Sequence, residues 1–457
     1  MIFSVSASRI SIARPRMSNR PRLTDACRAA NVFSLYNDCW DVRRGRDSGS
    51  CGGRIRVRRS ASRSIVSIRI VLSGPWTFAA AMTDVPREAF LLPGPVKMHP
   101  RVIEAMAVPA MNHRGPEFKE VLAEVRTLTQ YAFATHGPVA VLSGSGTAGL
   151  EAAVSGLLRK GDRVLNLVNG KFSERFHELC QVFSTSTALT FDWGTAVDPA
   201  SVAAAMDSQD YRAVTLCWNE TSTGLTNPIA EVAKIVKDHD ALFLVDGITA
   251  VGGIENRMEA WGLDALIVGS QKCLAAPAGL SAVALSKRAY ELLHPETSFY
   301  VNLKAHIDAL AKEDTPFTPA VPLFLAFREA LRLLKEEGLE HRIARTRTLA
   351  EAARAGVAAL GLELFPDRRF ASNTVTAIRY PPGIDDSKFR KILRADHRTI
   401  VAGGQAQLKG KIFRIGHMGI CSIEDLQEGF RAIETTLAAM GHRVKAGAAV
   451  EAMAGRA

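Results

Sequence analysis

Between residues 139 and 285, short apolar runs alternate with stretches of helical spacing, and this alternation limits the possible folds more than any other feature of the chain. Each run is four to six residues long and is followed by a glycine-containing or polar segment. Runs of this length that alternate with helices predict an α/β fold, with a mostly parallel sheet covered by helices on both faces. The predicted strands are residues 139–142, 163–168, 213–218, 241–245, 265–268 and 280–285.

The pattern changes after a long helical region at residues 320–360, which is interrupted at Gly338. The shorter elements beyond it are typical of a small α+β domain. We therefore predict a large domain over residues 82–335, a small domain over residues 336–445 and a frayed tail over residues 446–457. The predicted elements of the small domain are strands at residues 374–379, 399–402 and 411–415 and helices at residues 386–396 and 423–440.

The first 81 residues differ in composition from the rest of the chain. They hold 15 of the 57 basic residues, all arginine, and four of the 46 acidic residues, so they carry the whole net charge of +11. A segment rich in arginine and serine and poor in acids is typical of an organelle transit peptide. It also fits translation from a start codon upstream of the true one, and we favour a start at Met82. Under either interpretation we expect a disordered extension outside the fold.

The remaining residues restrict the possible partners. They hold 42 basic and 42 acidic side chains, so we expect no nucleic acid partner. No apolar run approaches the roughly 18 residues of a membrane helix, so we expect no membrane partner. The seven cysteines form no CxxC pair, and His113, His177 and His417 lack ligand spacing. We therefore expect no metal site, no disulfide framework and a cytoplasmic location, or an organelle if the extension is a genuine transit peptide.

Lys272 follows the apolar run at residues 265–268. The carboxyl ends of parallel strands meet at one edge of the sheet, where open α/β folds bind ligands. A single lysine is usually a solvated surface charge, but this one follows a buried strand. Burial would lower the pKa of the amine and make it nucleophilic toward a carbonyl. We predict that Lys272 holds a cofactor as a Schiff base.

Asp246 ends another apolar run, and a carboxylate after four buried apolar residues needs a partner. One possibility is a helix cap or a structural ion pair. The other is a bond to the protonated ring nitrogen of a pyridoxal cofactor, which would keep the ring an electron sink. The neighbouring Lys272 favours the second interpretation.

Residues 144–149 match the GxGxxG pattern of dinucleotide-binding sites. That pattern also requires an acid at the end of the next strand, where this chain has Asn169 and Gly170. A single phosphate at a helix N-terminus fits better, with hydrogen bonds from the hydroxyls of Ser145 and Thr147. The sequence therefore favours a phosphate site over a nicotinamide-dependent dehydrogenase.

Phe172 and Arg414 each allow two interpretations. Phe172 follows a strand in a glycine-containing loop, and it could pack in the core or stack on a cofactor ring. Arg414 lies among apolar residues of a short predicted strand. It could form a buried ion pair or bind a carboxylate ligand through both arms of its guanidinium group.

These motifs together resemble the class V, fold-type I aminotransferases that depend on pyridoxal phosphate, most closely the serine–glyoxylate, alanine–glyoxylate and serine–pyruvate branch. The resemblance covers about residues 91–440. It implies a large domain with a mostly parallel, seven-stranded sheet sandwiched by helices, and a small C-terminal α+β domain. Its motifs are PGPV at 93–96, SGSGTAGLEAA at 143–153, NETSTG at 219–224, VDG at 245–247, GSQK at 269–272, TPFTP at 315–319 and GKIFRIGHMG at 410–419.

The resemblance also implies roles for single residues. Lys272 corresponds to the Schiff-base lysine and proton shuttle, and Asp246 to the partner of the pyridine nitrogen. Phe172 corresponds to the ring-stacking position, Thr221 to a position near the ring hydroxyl and Arg414 to the arginine that binds the substrate carboxylate. The implied phosphate-binding residues are Ser145, Gly146, Thr147 and Gln271, together with Thr318 from the other subunit of a homodimer with shared active sites. Phe317 replaces a tyrosine that close relatives often have, so we assign it no polar role.

The implied activity is ping-pong transfer of an amino group from a small amino acid, serine or alanine, to glyoxylate or pyruvate. An aspartate donor is an alternative, which the absence of a second obvious pocket arginine disfavours. A lyase of the cysteine desulfurase type is a further alternative. It would need a reactive cysteine on a mobile loop and usually a histidine on the ring, whereas this chain has Phe172 there and only Cys421 beyond Cys273.

Overall fold

The computed structural model describes residues 88–455, and the predicted extension over residues 1–81 lies outside the described residues. The strands are β1 (Ala89–Phe90), β2 (Val139–Ser143), β3 (Arg163–Val168), β4 (Thr185–Thr190), β5 (Ala213–Cys217), β6 (Asn219–Glu220), β7 (Leu225–Thr226), β8 (Leu242–Asp246), β9 (Ala265–Gly269), β10 (Leu280–Leu285), β11 (Val375–Arg379), β12 (Thr399–Ile400), β13 (Ala402–Gly403) and β14 (Ile412–Gly416). The helices are α1 (Pro100–Glu104), α2 (Pro116–Phe133), α3 (Gly146–Leu157), α4 (Lys171–Phe183), α5 (Pro199–Ser208), α6 (Ile229–Asp238), α7 (Met258–Trp261), α8 (Lys287–Glu291), α9 (Leu303–Leu310), α10 (Val321–Glu337), α11 (Leu339–Ala359), α12 (Asp386–His397), α13 (Ile423–Ala439) and α14 (Ala448–Ala454).

The central sheet has seven strands in the order β2-β10-β9-β8-β5-β3-β4. Strand β10 runs antiparallel to both of its neighbours, and every other pair is parallel. All residues of β5, β8, β9 and β10 are buried, as expected for strands covered on both faces. The predicted α/β fold with a mostly parallel, seven-stranded sheet is therefore confirmed.

Two hydrophobic clusters lie on opposite faces of this sheet. Residues Val139 and Val141 of β2 belong to the first cluster, and the alternate residues Ala140 and Leu142 belong to the second. Helices α2, α5, α6 and α10 contribute to the first cluster, and α3, α4, α8 and α9 to the second. Successive residues of a strand point to opposite faces, so the apolar runs fill both layers. No helix within residues 88–455 is long and apolar enough to cross a membrane.

Beyond α10 the elements form a smaller unit around the antiparallel sheet β11-β14-β13, while β1 pairs with β12. A third hydrophobic cluster joins residues of α11, α12 and α13 to this sheet. Gly338 separates α10 from α11, as the sequence predicts. The exact domain boundary at residues 335–336 stays a prediction.

The prediction of a frayed tail at residues 446–457 is wrong for α14. Its residues Ala449 and Met453 are fully buried in the third hydrophobic cluster. The carboxylate of Glu434 accepts hydrogen bonds from the N–H groups of Gly447 and Ala449, at 2.5 and 3.2 Å. The helix therefore holds its place through apolar burial and a capped N-terminus, which an alanine-rich sequence alone does not reveal.

Candidate active site

A cavity of about 270 Å³ opens at the carboxyl edge of the central sheet. It brings together residues that are far apart in the sequence, because the parallel strands all end at this edge. The predicted site residues that line it are Ser145, Gly146, Thr147, Phe172, Thr221, Asp246, Gln271 and Lys272. The lining residues that sequence analysis did not single out are Arg175, Cys217, Asn219, Ile248 and Thr249.

Lys272 lies three residues beyond β9, with its amine inside the cavity. The Nζ atom donates a hydrogen bond to the carbonyl oxygen of Pro93 at 2.7 Å. Burial of the amine lowers its pKa to about 8, since the charged form loses hydration. A larger fraction of this lysine is therefore neutral and nucleophilic near neutral pH than of an exposed lysine.

Asp246 is the last residue of β8, and only 4% of it is exposed. Its Oδ1 atom accepts a hydrogen bond from the N–H of Ile248 at 2.9 Å. Its Oδ2 atom lies 3.6 Å from Nη2 of Arg175, close enough for charge attraction but beyond hydrogen-bond distance. Burial raises the pKa of Asp246 to about 6, and Arg175 opposes that rise. Oδ2 therefore keeps room for a further donor.

Helix α3 begins directly after β2 and points its N-terminus at the cavity. Ser145 is the N-cap residue, but its hydroxyl makes no capping hydrogen bond. The first N–H groups of a helix have no intrahelical partner, so this end is suited to an anion. Gln271 lines the same cavity, and the donor that its side chain can offer an anion is the NH2 group of the amide. A Cβ atom at Gly146 would lie 2.5 Å from Cδ1 of Ile248, so a larger residue there would displace the Ile248 side chain.

Helix α4 carries Phe172 into the cavity, and the buried side chain of Glu220 fixes its first turn. The Oε2 atom of Glu220 accepts hydrogen bonds from the N–H groups of Phe172 and Ser173, at 3.1 and 2.9 Å. Its Oε1 atom accepts one from the hydroxyl of Ser222 at 2.6 Å. Glu220 could not be predicted as a site residue, because nothing in the NETSTG motif distinguishes a capping acid from an exposed one.

Arg414 lies on β14 of the smaller unit and is 5% exposed. It does not line the cavity itself but contacts the lining residue Thr221. Its Nη1 atom donates to the carbonyl oxygen of Thr221 at 2.9 Å, and its Nη2 atom donates to that of Gly403 at 2.8 Å. No carboxylate of residues 88–455 forms an ion pair with it. Burial lowers its pKa to about 10, so it still carries its charge at neutral pH.

Thr318 does not line this cavity. It lies exposed on the loop before α10, where the N–H of Ala320 donates to the hydroxyl of Ser143 at the end of β2. Its predicted contact with the cofactor phosphate of a second subunit stays a prediction.

Comparison with known proteins identifies the family. The family model described as Aminotransferase class-V matches residues 100–421. The chain belongs to the class-V aminotransferase family. An uncharacterized aminotransferase of Methanocaldococcus jannaschii is 41% identical over 79% of this chain and 96% of its own length. A serine–glyoxylate aminotransferase of Methylorubrum extorquens is 32% identical over 80% of this chain and 95% of its own length.

Solved structures agree with this assignment. The ureidoglycine–glyoxylate aminotransferase of Bacillus subtilis superposes with a TM-score of 0.77 and 31% identity, over 81% of this chain and 98% of that one. The fold-type I architecture predicted from the sequence is thereby confirmed. Class-V aminotransferases of this fold depend on pyridoxal phosphate.

The cavity of this class-V aminotransferase fits that cofactor. The N-terminus of α3 borders the place for a phosphate, and the amide of Gln271, which lines the same cavity, offers its NH2 group as a donor. At the other end, Oδ2 of the buried Asp246 can accept a ring N–H, while the amine of Lys272 faces the same space. Both the anion site and the amine are thus present at one sheet edge, and each is matched to a different part of the cofactor.

Proposed function

We propose that this enzyme moves the amino group of a small L-amino acid, serine or alanine, to glyoxylate or pyruvate by a ping-pong mechanism. The observation that carries the proposal is the buried guanidinium of Arg414. It is bonded to the carbonyls of Thr221 and Gly403 but forms no ion pair within residues 88–455. The carboxylate of Glu220 acts on this charge only from beyond ion-pair distance. A buried cation that forms no ion pair is matched to an anionic ligand, and every amino acid and oxo acid substrate brings an α-carboxylate.

Each of the other site residues has a separate role in the proposed reaction. Bound pyridoxal phosphate supplies a carbonyl for the amino group and a ring that stores electrons. The Nζ atom of Lys272 holds the cofactor and, once released, moves the α-proton. Asp246 holds a proton on the ring nitrogen, and the first turn of α3 binds the phosphate. Arg414 orients the substrate so that its α-carbon faces Lys272.

An aspartate donor is the second candidate. The prediction that the pocket lacks a second obvious arginine is wrong, because Arg175 lines the cavity. Its Nη2 atom, however, lies 3.6 Å from the carboxylate of Asp246. This charge is already engaged at the ring-nitrogen end, so we still favour a donor without a second carboxylate.

The buried thiols argue against a lyase that attacks sulfur. Cys273 is fully buried, and burial raises its pKa to about 12. Burial raises the pKa of Cys421 to about 12 as well. A thiol acts as a nucleophile only as the thiolate, so neither group is prepared for such chemistry at neutral pH.

We also propose a homodimer with shared active sites. Phe299 is 83% exposed and Tyr300 is 51% exposed. Both rings contact the ring of Phe317, with centroids 5.3 and 5.4 Å away. This aromatic patch adjoins Thr318, so a second copy that covers the patch would also bring Thr318 to a neighbouring site. Phe299→Ser should shift the particle mass in solution toward the monomer, while the matched exposed substitution Val182→Ser should not.

For the location we propose the cytoplasm. The cysteines of the described region, Cys180, Cys217, Cys273 and Cys421, are all free. Free thiols in a chain of this size fit a reducing compartment. Fluorescence of a tagged full-length chain in cells would test this, and an organellar signal would contradict it.

A screen of amino donors against oxo-acid acceptors tests the proposed activity. Serine or alanine with glyoxylate or pyruvate should give the highest kcat/KM, and Lys272→Ala should abolish both turnover and the visible band of the bound cofactor. Arg414→Lys should raise the KM for amino acids at least about tenfold, since a single ammonium does not reproduce the paired contacts of a guanidinium. An aspartate preference would replace the proposed donor, and a Lys272→Ala variant that retains turnover would overturn the assignment.

A further inference from the structure

Arg175 is the one charged residue of the cavity to which neither the sequence nor the known chemistry of the site gives a role. It lies one turn beyond Phe172 on α4, so both side chains project from the same face of the helix. Its Cζ atom is 5.0 Å from the centroid of the Phe172 ring. Its Nη2 atom is 3.6 Å from Oδ2 of Asp246. The guanidinium thus bridges the ring-stacking residue and the ring-nitrogen partner.

We propose that Arg175 is a positioning residue that keeps Asp246 ionised for the cofactor nitrogen, so that cofactor affinity at and below neutral pH depends on it. The inference rests on the cofactor of the family and holds for any amino donor. The N–H of Ile248 fixes Oδ1 of Asp246 at 2.9 Å. Because Arg175 stays beyond hydrogen-bond distance of Oδ2, it can supply charge without occupying the position of the ring N–H.

The charges around Asp246 support this role of Arg175. Burial favours the protonated carboxyl, and the buried carboxylate of Glu220 on β6 acts in the same direction. Arg175 on α4 is the largest opposing influence besides burial, ahead of Lys272 beyond β9. Cys217 on β5, paired in register with Asp246, stays a neutral thiol because burial raises its pKa well above its usual value. Bound cofactor would engage the amine of Lys272, whereas the guanidinium of Arg175 would stay a permanent cation beside Asp246.

The phosphorylated amine form of the cofactor, pyridoxamine 5′-phosphate, is the suitable probe, since it makes no covalent bond to Lys272. Its dissociation constant is measured by calorimetry on the apoprotein from pH 6 to pH 9. Arg175→Met should weaken binding about twofold at pH 7 and about fivefold at pH 6, as expected if the pKa of Asp246 rises by about one unit from its value of about 6. The loss should grow toward pH 6 and vanish by pH 9, because Asp246 is then ionised in both proteins.

Two controls separate this role from a structural one. Lys171→Met removes the same charge from α4, but Lys171 pairs with Glu174 at 3.1 Å on the surface, so binding should not change. Arg175→Lys keeps a positive charge at this position, so it should bind the probe nearly as tightly as the wild-type protein does. In an Asp246→Asn background, Arg175→Met should have no further effect. The proposal would be overturned if Arg175→Met weakened binding equally at every pH or left the pH profile of binding unchanged. It would also be overturned if Arg175→Met weakened binding as much in the Asp246→Asn background as in the wild-type protein. None of these outcomes depends on which donor the enzyme uses.

Discussion

The backbone of Gly94 lies directly against the amine of Lys272. A Cβ atom at position 94 would overlap Nζ and Cδ of the lysine and lie 2.7 Å from its Cε. The carbonyl oxygen of Pro93, one residue earlier, accepts the hydrogen bond of the same amine at 2.7 Å. The PGPV motif therefore covers the amine of Lys272, and at Gly94 it does so with backbone atoms alone.

Gly94→Ala should impair the attachment of the cofactor to Lys272. The added methyl group forces the lysine out of its position, and the φ of +116° at Gly94 is also one that side chains rarely adopt. We expect attachment at least about tenfold slower than in the wild-type protein, in line with a steric cost of about 1.4 kcal/mol or more. Rapid-mixing absorbance of apoprotein with pyridoxal phosphate measures the rate.

The matched control is Gly161→Ala. Gly161 has a similar φ of +98°, but nothing lies within 4 Å of its added carbon. It should therefore share the backbone strain and leave the attachment rate unchanged. Equal attachment rates in Gly94→Ala and Gly161→Ala would show that the backbone at Gly94 does not constrain the lysine.

The pH dependence of attachment should follow the pKa of Lys272. Only the neutral amine attacks a carbonyl, and burial lowers this pKa from 10.5 to about 8. The attachment rate should thus rise as the pH increases from 6 and level off above about 8.5. At pH 7 about a tenth of the amine is neutral, several hundred times the fraction in an ordinary lysine. A rate that still rises tenfold between pH 9 and pH 10 would contradict the lowered pKa.

Asp246→Asn should make the apoprotein more stable while it weakens cofactor binding. The pKa of the folded carboxyl is about 6, against 3.8 for the unfolded group, so the native state binds the proton more tightly. Stability therefore decreases as the pH rises through this window and is lowest above pH 6, by up to about 3 kcal/mol. The uncharged asparagine avoids this cost, so its unfolding temperature should exceed that of the wild-type apoprotein at pH 8 and match it near pH 4. A lower unfolding temperature at pH 8 would contradict the prediction.

The strand-end rule explains why much of the site could be predicted from the sequence. Lys272 and Asp246 each follow a fully apolar run, and parallel strands must end at a common edge. Strand β4 was missed because Thr185–Thr190 is a largely exposed edge strand in which only Ala188 and Leu189 are apolar, so it shows no apolar run. Its place beside β3 depends on a pairing between distant segments, and such pairing leaves no local pattern.

Arg175 and Glu220 show a different limit. Arg175 stands three residues after Phe172 in a helix, so its spacing could have placed it on the same face had α4 been located accurately. Glu220 offers no such signal, because its function depends on the first turn of another element 47 residues away. Polar residues that hold other elements in position are identified only when the packing between those elements is known.

Glu220→Ala should destabilise the first turn of α4 and disturb the cavity with it. The substitution leaves the buried N–H groups of Phe172 and Ser173 without their acceptor, at a cost of about 2–4 kcal/mol. We expect a lower unfolding temperature of the apoprotein and weaker binding of pyridoxamine 5′-phosphate at every pH, since Phe172 loses its fixed position. Glu174→Ala, on the same helix but partly exposed beside Lys171, should change neither quantity by more than a small amount. If Glu220→Ala unfolds at the wild-type temperature, the first turn of α4 does not depend on this carboxylate.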